Sequence, residues 1–452
     1  MIVATLVLSS CGGSTAQPPA SGRTLSSTGF ISKTVPNTHV GTQLTWFLGA
    51  VAHVPLSDQM IDAHFDPSFL SAVSADKLNS GLVQHFATPS GASLVGLLGQ
   101  DPTTIVAVAT FGTGNWQVSI SVDGAGLIRG LLLTPYSPPP TSWAQLDREL
   151  AAVAPQVSFL AAQVSSNGSC TPIHQVASSR ARPLGSQFKL FVLGALAHQI
   201  ASGRLSWNQR LTVQDAQKSI GSVSGSLQYS PAGTKVSVRE TASKMISISD
   251  NTAADMLIDL VGRPAVEAQV ERWSANPKAD EPFLTTRELF LLHYVNFPTL
   301  ANQYLSLPPR KRDSFLASSV DPLSLTEVQG SSEPRDVNTI EWFASPDDIC
   351  RAFAGLQHLS DQAGLSQIRS VFSLNSGSLG LNHSQWSSVW FKGGSEPGVL
   401  TLGYLAKNSR GQSFVVSVMA SNPAAALGSG ATADLLAIVR GAFELVGSSR
   451  NS

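Results

Sequence analysis

Apolar residues recur at three- and four-residue spacing over 37–53, 66–73 and 74–86, so each stretch predicts a helix with one buried stripe. Asn37 reads as the cap of the first and Ser74 as the cap of the third. The rhythm then shortens to apolar runs at 94–99, 103–111, 116–122 and 127–133, divided by turn-forming 100–102, 112–115 and 123–124. Four such runs predict an antiparallel meander. Helices first and strands afterwards predict an α+β domain.

The stretch PYSPPP, 135–140, reads as a stiff linker and the main domain boundary. Beyond it, 143–153 predicts a helix, and 157–164 and 172–178 a hairpin around the polar turn 165–170. Near the other end, 399–406 and 413–421 predict a second hairpin, followed by an amphipathic helix at 433–446. Strands from both ends with helices between them predict one antiparallel sheet flanked by helices. The expected organisation is a leader and tether at 1–27, an α+β domain at 28–134, the linker at 135–142 and a second domain at 143–452. The stretches 306–315 and 373–382 read as loops near the site.

Composition narrows the function classes. Charged residues are 13% of 452 and the net charge is −1, with no basic run, so neither nucleic acid nor an acidic membrane surface is expected as a partner. Nine histidines are scattered without metal-ligand spacing, so no metal and no cofactor is expected. Residues 1–10 are apolar but too short to span a bilayer, and they lack the basic start of a complete signal peptide, which suggests a true start further upstream. Cys11 follows them in LSSCG, the pattern of a bacterial lipobox, and 12–27 is a Gly/Ser/Pro-rich tether. Lipidation of Cys11 would place the chain on the outer face of the cell membrane. Cys170 and Cys350 are equally compatible with a disulfide and with two buried thiols.

The candidate chemistry centres on LGSQFKLFVLGALAHQI, 184–200, in which Ser186 and Lys189 share one face of a helical turn. The apolar residues around Lys189 imply a dry setting that favours the neutral amine, able to take the Ser186 proton. Ser-x-x-Lys alone is weak, since Ser74 and Lys77 repeat it at a helix cap. Two further elements follow in order: Ser249-Asp250-Asn251 ahead of an amphipathic helix, and Lys392-Gly393-Gly394-Ser395 leading into a strand. Other Ser-x-Asn triplets, at 165–167 and 373–375, do not combine that order with that context.

With these three elements the chain resembles the serine β-lactamase (class A-like) and penicillin-binding protein superfamily, whose signatures are Ser-x-x-Lys, Ser-Asp-Asn and Lys-Thr-Gly. The resemblance implies Ser186 as acylated nucleophile, Lys189 as its base, and Ser249 as the hydroxyl relaying a proton to the leaving group. It implies Asn251 at the substrate amide, Lys392 and Gly394 lining the strand that binds substrate, Lys392 facing its carboxylate, and the Ser186 and Ser395 N–H groups as the oxyanion hole. Gly393 departs from the usual Thr or Ser. The Glu-x-x-Leu-Asn pattern that carries the deacylating glutamate in class A enzymes is absent, and the loop before Thr285-Thr286 is about fifteen residues short. Glu281 is the nearest substitute, and it reads rather as part of an acidic turn.

The leader domain resembles cystatin-like and nuclear-transport-factor-like (NTF2-like) domains. The whole chain resembles mycobacterial lipoproteins of the LpqF type and two-domain β-lactamase-like proteins of clavulanic acid clusters. Three functions stay open: an envelope serine hydrolase acting on an ester, amide or β-lactam-like small molecule, a D,D-peptidase-like acceptor of peptidoglycan stems, and a catalytically silent binding module.

Overall fold

The computed structural model describes residues 30–86, 92–112, 114–220, 225–328 and 330–448, and the lipobox expectation at Cys11 lies outside them. The chain divides into two compact units. Unit 1 comprises the described residues up to Pro140 together with Ser378–Ser388 and Ser429–Gly441; unit 2 comprises Thr141–Gly377, Val389–Gly428 and the described residues from Ala442 onward.

Unit 1 begins with α1 (His39–Ala50), α2 (Asp58–His64), α3 (Pro67–Ala72) and α4 (Ala75–Phe86), followed by β1 (Ser93–Gln100), β2 (Thr104–Phe111), β3 (Gly114–Val122) and β4 (Ile128–Pro135). The cap of α1 is Thr38, one residue past Asn37, because the Thr38 hydroxyl accepts the Gly41 N–H. The strands pair in the order β1-β2-β3-β4, each neighbour antiparallel. Leu44, Phe47, Phe69 and Leu82 from the helices share one core with Ile105 and Ile120 of the sheet.

Leu98, Val106 and Val108 form a separate cluster in this unit. It is associated with the late segments: a Cβ on Gly380 would stand 3.0 Å from Leu98 Cβ and 3.1 Å from Val106 Cβ. Gln117 Nε2 donates to the Ser378 carbonyl (2.9 Å), and Arg440 Nη2 donates to Gln117 Oε1 (2.7 Å). Residues 143–452 therefore do not pack as one block, and 378–382, read as loop near the site, belong to unit 1. Local periodicity marks a sheet face as apolar without saying which distant segment covers it.

Unit 2 contains α5 (Trp143–Val153), β5 (Gln156–Val164), β6 (Cys170–Val176), β7 (Arg182–Pro183), α6 (Lys189–Ala201), β8 (Arg210–Thr212), β9 (Lys235–Ser237), α7 (Val238–Ser247), α8 (Asn251–Val261) and α9 (Arg263–Trp273). It continues with α10 (Thr286–Tyr294), α11 (Thr299–Ser306), α12 (Pro309–Phe315), β10 (Phe343–Ala344), α13 (Pro346–Ser360) and α14 (Gln367–Phe372). The last elements are β11 (Trp386–Glu396), β12 (Val399–Asn408), β13 (Ser413–Ser421) and α15 (Ala431–Ser448), of which β11 and α15 run through both units. The segment 306–315, expected as loop, is largely α12. Pro309 sits at its first turn, where a missing N–H costs nothing.

The five-stranded sheet runs β11-β12-β13-β5-β6, so the two ends of the chain meet where Ala161 pairs with Val416. Successive residues of β5 face opposite sides. Leu160 joins the core that holds α6 and α13, whereas the ring of Phe159 meets Trp143 of α5. Helices thus cover both faces.

Cys170 on the edge strand β6 is disulfide-bonded to Cys350 on α13. The bond closes a loop with a sequence separation of 180, and Cys350→Ser is expected to cost about 2–5 kcal/mol. The reading is the melting temperature of variant and wild type with and without reductant. Equal values throughout would mean that the bond contributes nothing.

Candidate active site

The chain enters the site from β7, where the Leu184 N–H donates to the Trp342 carbonyl. Gly185 turns it at φ 50°, and a four-residue 3-10 turn, Gly185–Phe188, runs straight into α6. This puts Lys189 one turn beyond Ser186 on the same face. Lys189 is fully buried in the apolar start of α6, while Ser186 keeps partial solvent access.

Lys189 Nζ lies within hydrogen-bond distance of four oxygens: Ser249 O (2.6 Å), Asn251 Oδ1 (2.7 Å), Ser186 Oγ (3.0 Å) and Ser249 Oγ (3.2 Å). The two shortest contacts are to oxygens that can only accept. A neutral amine has two N–H groups, which those oxygens consume, and its lone pair is then left for a hydroxyl. Burial pulls the Lys189 ammonium down to about 7, against the opposing charges of Asp250 and Asp255.

Ser249 takes φ 57°, rare for a residue with a side chain. Its Oγ sits between two amines, Lys189 Nζ at 3.2 Å and Lys392 Nζ at 3.1 Å. Burial first, then the Lys189 charge, holds Lys392 well below its ordinary value. Lys392 also donates to Gly393 O (2.7 Å). Asp250 anchors the motif: Oδ1 caps α8 at Ala253 N–H, and Oδ2 accepts the N–H groups of Ser226 and Leu227. Asn251 has both ends of its amide engaged, Oδ1 by Lys189 and Nδ2 by the Ile220 carbonyl (2.8 Å). A substrate amide would have to displace one of these bonds.

The strand side comes close enough to exclude side chains. A Cβ on Gly394 would lie 2.0 Å from Leu184 O and 2.6 Å from Ser186 N, and one on Gly185 would lie 2.8 Å from Ser395 N. Gln187 Nε2 donates to Lys392 O (3.1 Å), and Thr401 Oγ1 to Leu184 O (2.8 Å), which ties the turn to β11 and β12. The Ser186 and Ser395 amides thus belong to two backbones in direct contact. Gly393 has its own surroundings: a Cβ there would meet Phe391 Cζ at 2.8 Å and Thr401 O at 3.0 Å, so a Thr would need the Phe391 ring to move aside.

Among the described residues, no carboxylate is hydrogen-bonded to Ser186, Lys189 or Ser249. Asp255 is buried in the next turn of α8, and its oxygens are taken up by Thr286 N–H (2.7 Å), Thr286 Oγ1 (2.9 Å) and Arg287 N–H (2.9 Å). Thr285 caps α10 in a reciprocal pair with Glu288. Glu281 follows a 3-10 turn and is joined to Pro282 by a cis bond. Ser74 caps α4 through the Lys77 N–H, which accounts for the first Ser-x-x-Lys. No group of His, Cys, Asp or Glu that could hold a metal ion occurs among the described residues. Sequence reading did not single out Glu341, whose Oε1 accepts the Gly185 N–H, or Glu396, next to Ser395.

Residues 142–304 match the beta-lactamase enzyme family, and residues 35–128 match a family described as ORF 12 gene product N-terminal. No curated protein matches the chain significantly. Among solved structures, a beta-lactamase from Sphaerobacter thermophilus DSM 20745 is 20% identical over 68% of this chain and 98% of its own, with a TM-score of 0.46. PBP-A is 17% identical over 69% and 99%, at 0.44. A beta-lactamase from Chitinophaga pinensis DSM 2588 is 14% identical over 67% and 98%, at 0.45.

Proposed function

We propose, for a chain that carries a beta-lactamase-family domain, that Ser186 is acylated by an ester or amide substrate and that β-lactams are turned over weakly or not at all. The observation that carries this reading is the contact of Lys189 Nζ with Ser186 Oγ at 3.0 Å, with Ser249 Oγ shared between Lys189 and Lys392. Neutral Lys189 takes the proton from Ser186 Oγ as that oxygen bonds to the substrate carbonyl carbon. The negative charge on the carbonyl oxygen is stabilised by the Ser186 and Ser395 N–H groups. As the bond to the leaving group breaks, Ser249 Oγ gives it a proton and is reprotonated by the Lys189 ammonium. An acyl-Ser186 ester is left, with Lys189 neutral again.

Water must then cleave that ester. With no carboxylate bonded to the Ser186–Lys189–Ser249 set, activation of water falls to Lys189 or Ser249, and deacylation of a bulky β-lactam acyl group is slow. Small acyl groups that leave room for water are the substrates this favours. The finer identity proposed is an exported lipoprotein anchored at Cys11, of the LpqF and clavulanic-acid-cluster type, with a cystatin-like or NTF2-like leader domain.

The test is intact mass after exposure to a β-lactam and, in parallel, to an activated short-chain ester, on wild type and Ser186→Ala. An adduct or ester turnover in wild type, lost in Ser186→Ala, is the expected result. Neither adduct nor turnover in wild type would overturn the hydrolase reading and leave a binding module.

A further inference from the structure

Two carboxyl groups are buried beside the nucleophile's turn, and the acyl-transfer steps do not use them. Glu341 stands just ahead of β10 and is 5% exposed. Its Oε1 accepts the Gly185 N–H (3.1 Å) and its Oε2 the Trp342 N–H. Glu396 ends β11 directly after Ser395, with its side chain 9% exposed. The two carboxyl groups interact directly. In a dry site that contact needs a proton, since two carboxylates would repel.

The surroundings say where the proton sits. Both Glu341 oxygens already receive N–H groups, as suits a carboxylate, whereas no donor bonds Glu396 Oε1. His293 of α10 donates its Nε2–H to the Ile340 carbonyl (3.0 Å), and burial lowers its pKa to about 4. The unprotonated Nδ1 therefore faces Glu396 Oε2 at 3.7 Å. Glu396 meets acceptors on two sides, which is the setting of a protonated carboxyl. The other titratable and charged groups around the pair are Tyr294, Arg335 and Asp280. Arg335 lies over the Tyr294 ring and gives an N–H to His293 O, and Asp280 accepts the Phe343 N–H.

We propose that the proton shared by Glu396 and Glu341 latches the oxyanion hole, because Glu341 holds the turn through Gly185, just before Ser186, and Glu396 holds the strand just after Ser395. Loss of that proton puts two charges in contact and drives the two backbones apart. Glu341 and Glu396 are thus positioning residues, and their role rests on Ser186 being the nucleophile. Burial raises both carboxyls, so the latch opens on the alkaline side of the ordinary carboxylate range.

The experiment follows kcat/KM against pH for a neutral activated ester, which makes no demand on Lys392, with the full chain. Wild type is expected to rise through about 7 as Lys189 loses its proton, and to fall again at higher pH as the latch opens. Glu396→Gln keeps a donor that does not titrate, so it should retain the rise and lose the alkaline fall. Glu396→Leu has no donor and should lower kcat/KM at every pH, by about tenfold to 10²-fold, the cost of a small misplacement. An alkaline fall unchanged in Glu396→Gln, or wild-type rates in Glu396→Leu, would overturn the latch. If wild type shows no adduct and no turnover, the hydrolase reading fails by itself, and amide hydrogen exchange at 185–187 and 394–396 still tests the latch. The wild-type to Glu396→Gln exchange ratio should then grow with pH, and a constant ratio would refute it.

Discussion

Lys189→Met is expected to slow acylation of Ser186 by about 10²–10⁴-fold, the usual contribution of a positioned base, and a rise in pH should not rescue it. Wild type, in contrast, should speed up as pH rises through about 7, where the buried amine loses its proton. Met keeps the length and apolar character of the stem, so the packing around Phe188 and Phe191 survives. The cost is elsewhere: Ser249 O and Asn251 Oδ1 lose their donor. An unpaired buried acceptor costs about 1–3 kcal/mol, offset by no longer burying an amine. Acylation followed by intact mass, beside the melting temperature, separates the two effects. A large loss of rate with a nearly unchanged melting temperature puts the effect in the chemistry, and a wild-type rate would remove Lys189 from the mechanism.

The part of this site legible in the sequence is the part that is local. Ser186 and Lys189 are brought together by one turn, so their spacing alone places an amine beside a hydroxyl. Asp250 as the cap of α8 is local in the same sense. Ser249 and Lys392 reach the same point from distant parts of the chain, and only the resemblance to a family connected them in advance. Glu341, Glu396 and His293 were not singled out, because each looks ordinary in its own stretch. What sets them apart is burial against one another, across α10, β11 and the segment before β10.

The fold divides in the same way. The four strands of unit 1 and the two hairpins of unit 2 follow from short apolar runs between turns, whereas α2 was missed in a stretch too polar to show a stripe. The stretch 306–315 reads as a loop, yet Pro309 in the first turn starts α12. Residues 378–388 and 429–441 belong with unit 1 for reasons that no local pattern holds.

Gly394→Ala is expected to lower acylation by about 10²–10³-fold, comparable to losing one oxyanion donor. The new Cβ would fall 2.0 Å from Leu184 O, 2.6 Å from Ser186 N and 2.8 Å from Gly185 C. All three are backbone atoms, so no rotamer relieves the overlap, and β11 is an edge strand that can yield only by moving away from the turn. That motion carries the Ser395 amide away from the Ser186 amide. Overpacking of this kind costs about 1–3 kcal/mol, which the rest of unit 2 can bear. Gly393→Ala gives the contrast, because its tightest contact is Phe391 Cζ at 2.8 Å, the far end of a ring that can swing. Acylation in Gly393→Ala should stay much nearer wild type than in Gly394→Ala. Equal acylation in all three would mean that the two amides are not the oxyanion hole, since the one substitution that must separate them would have had no effect.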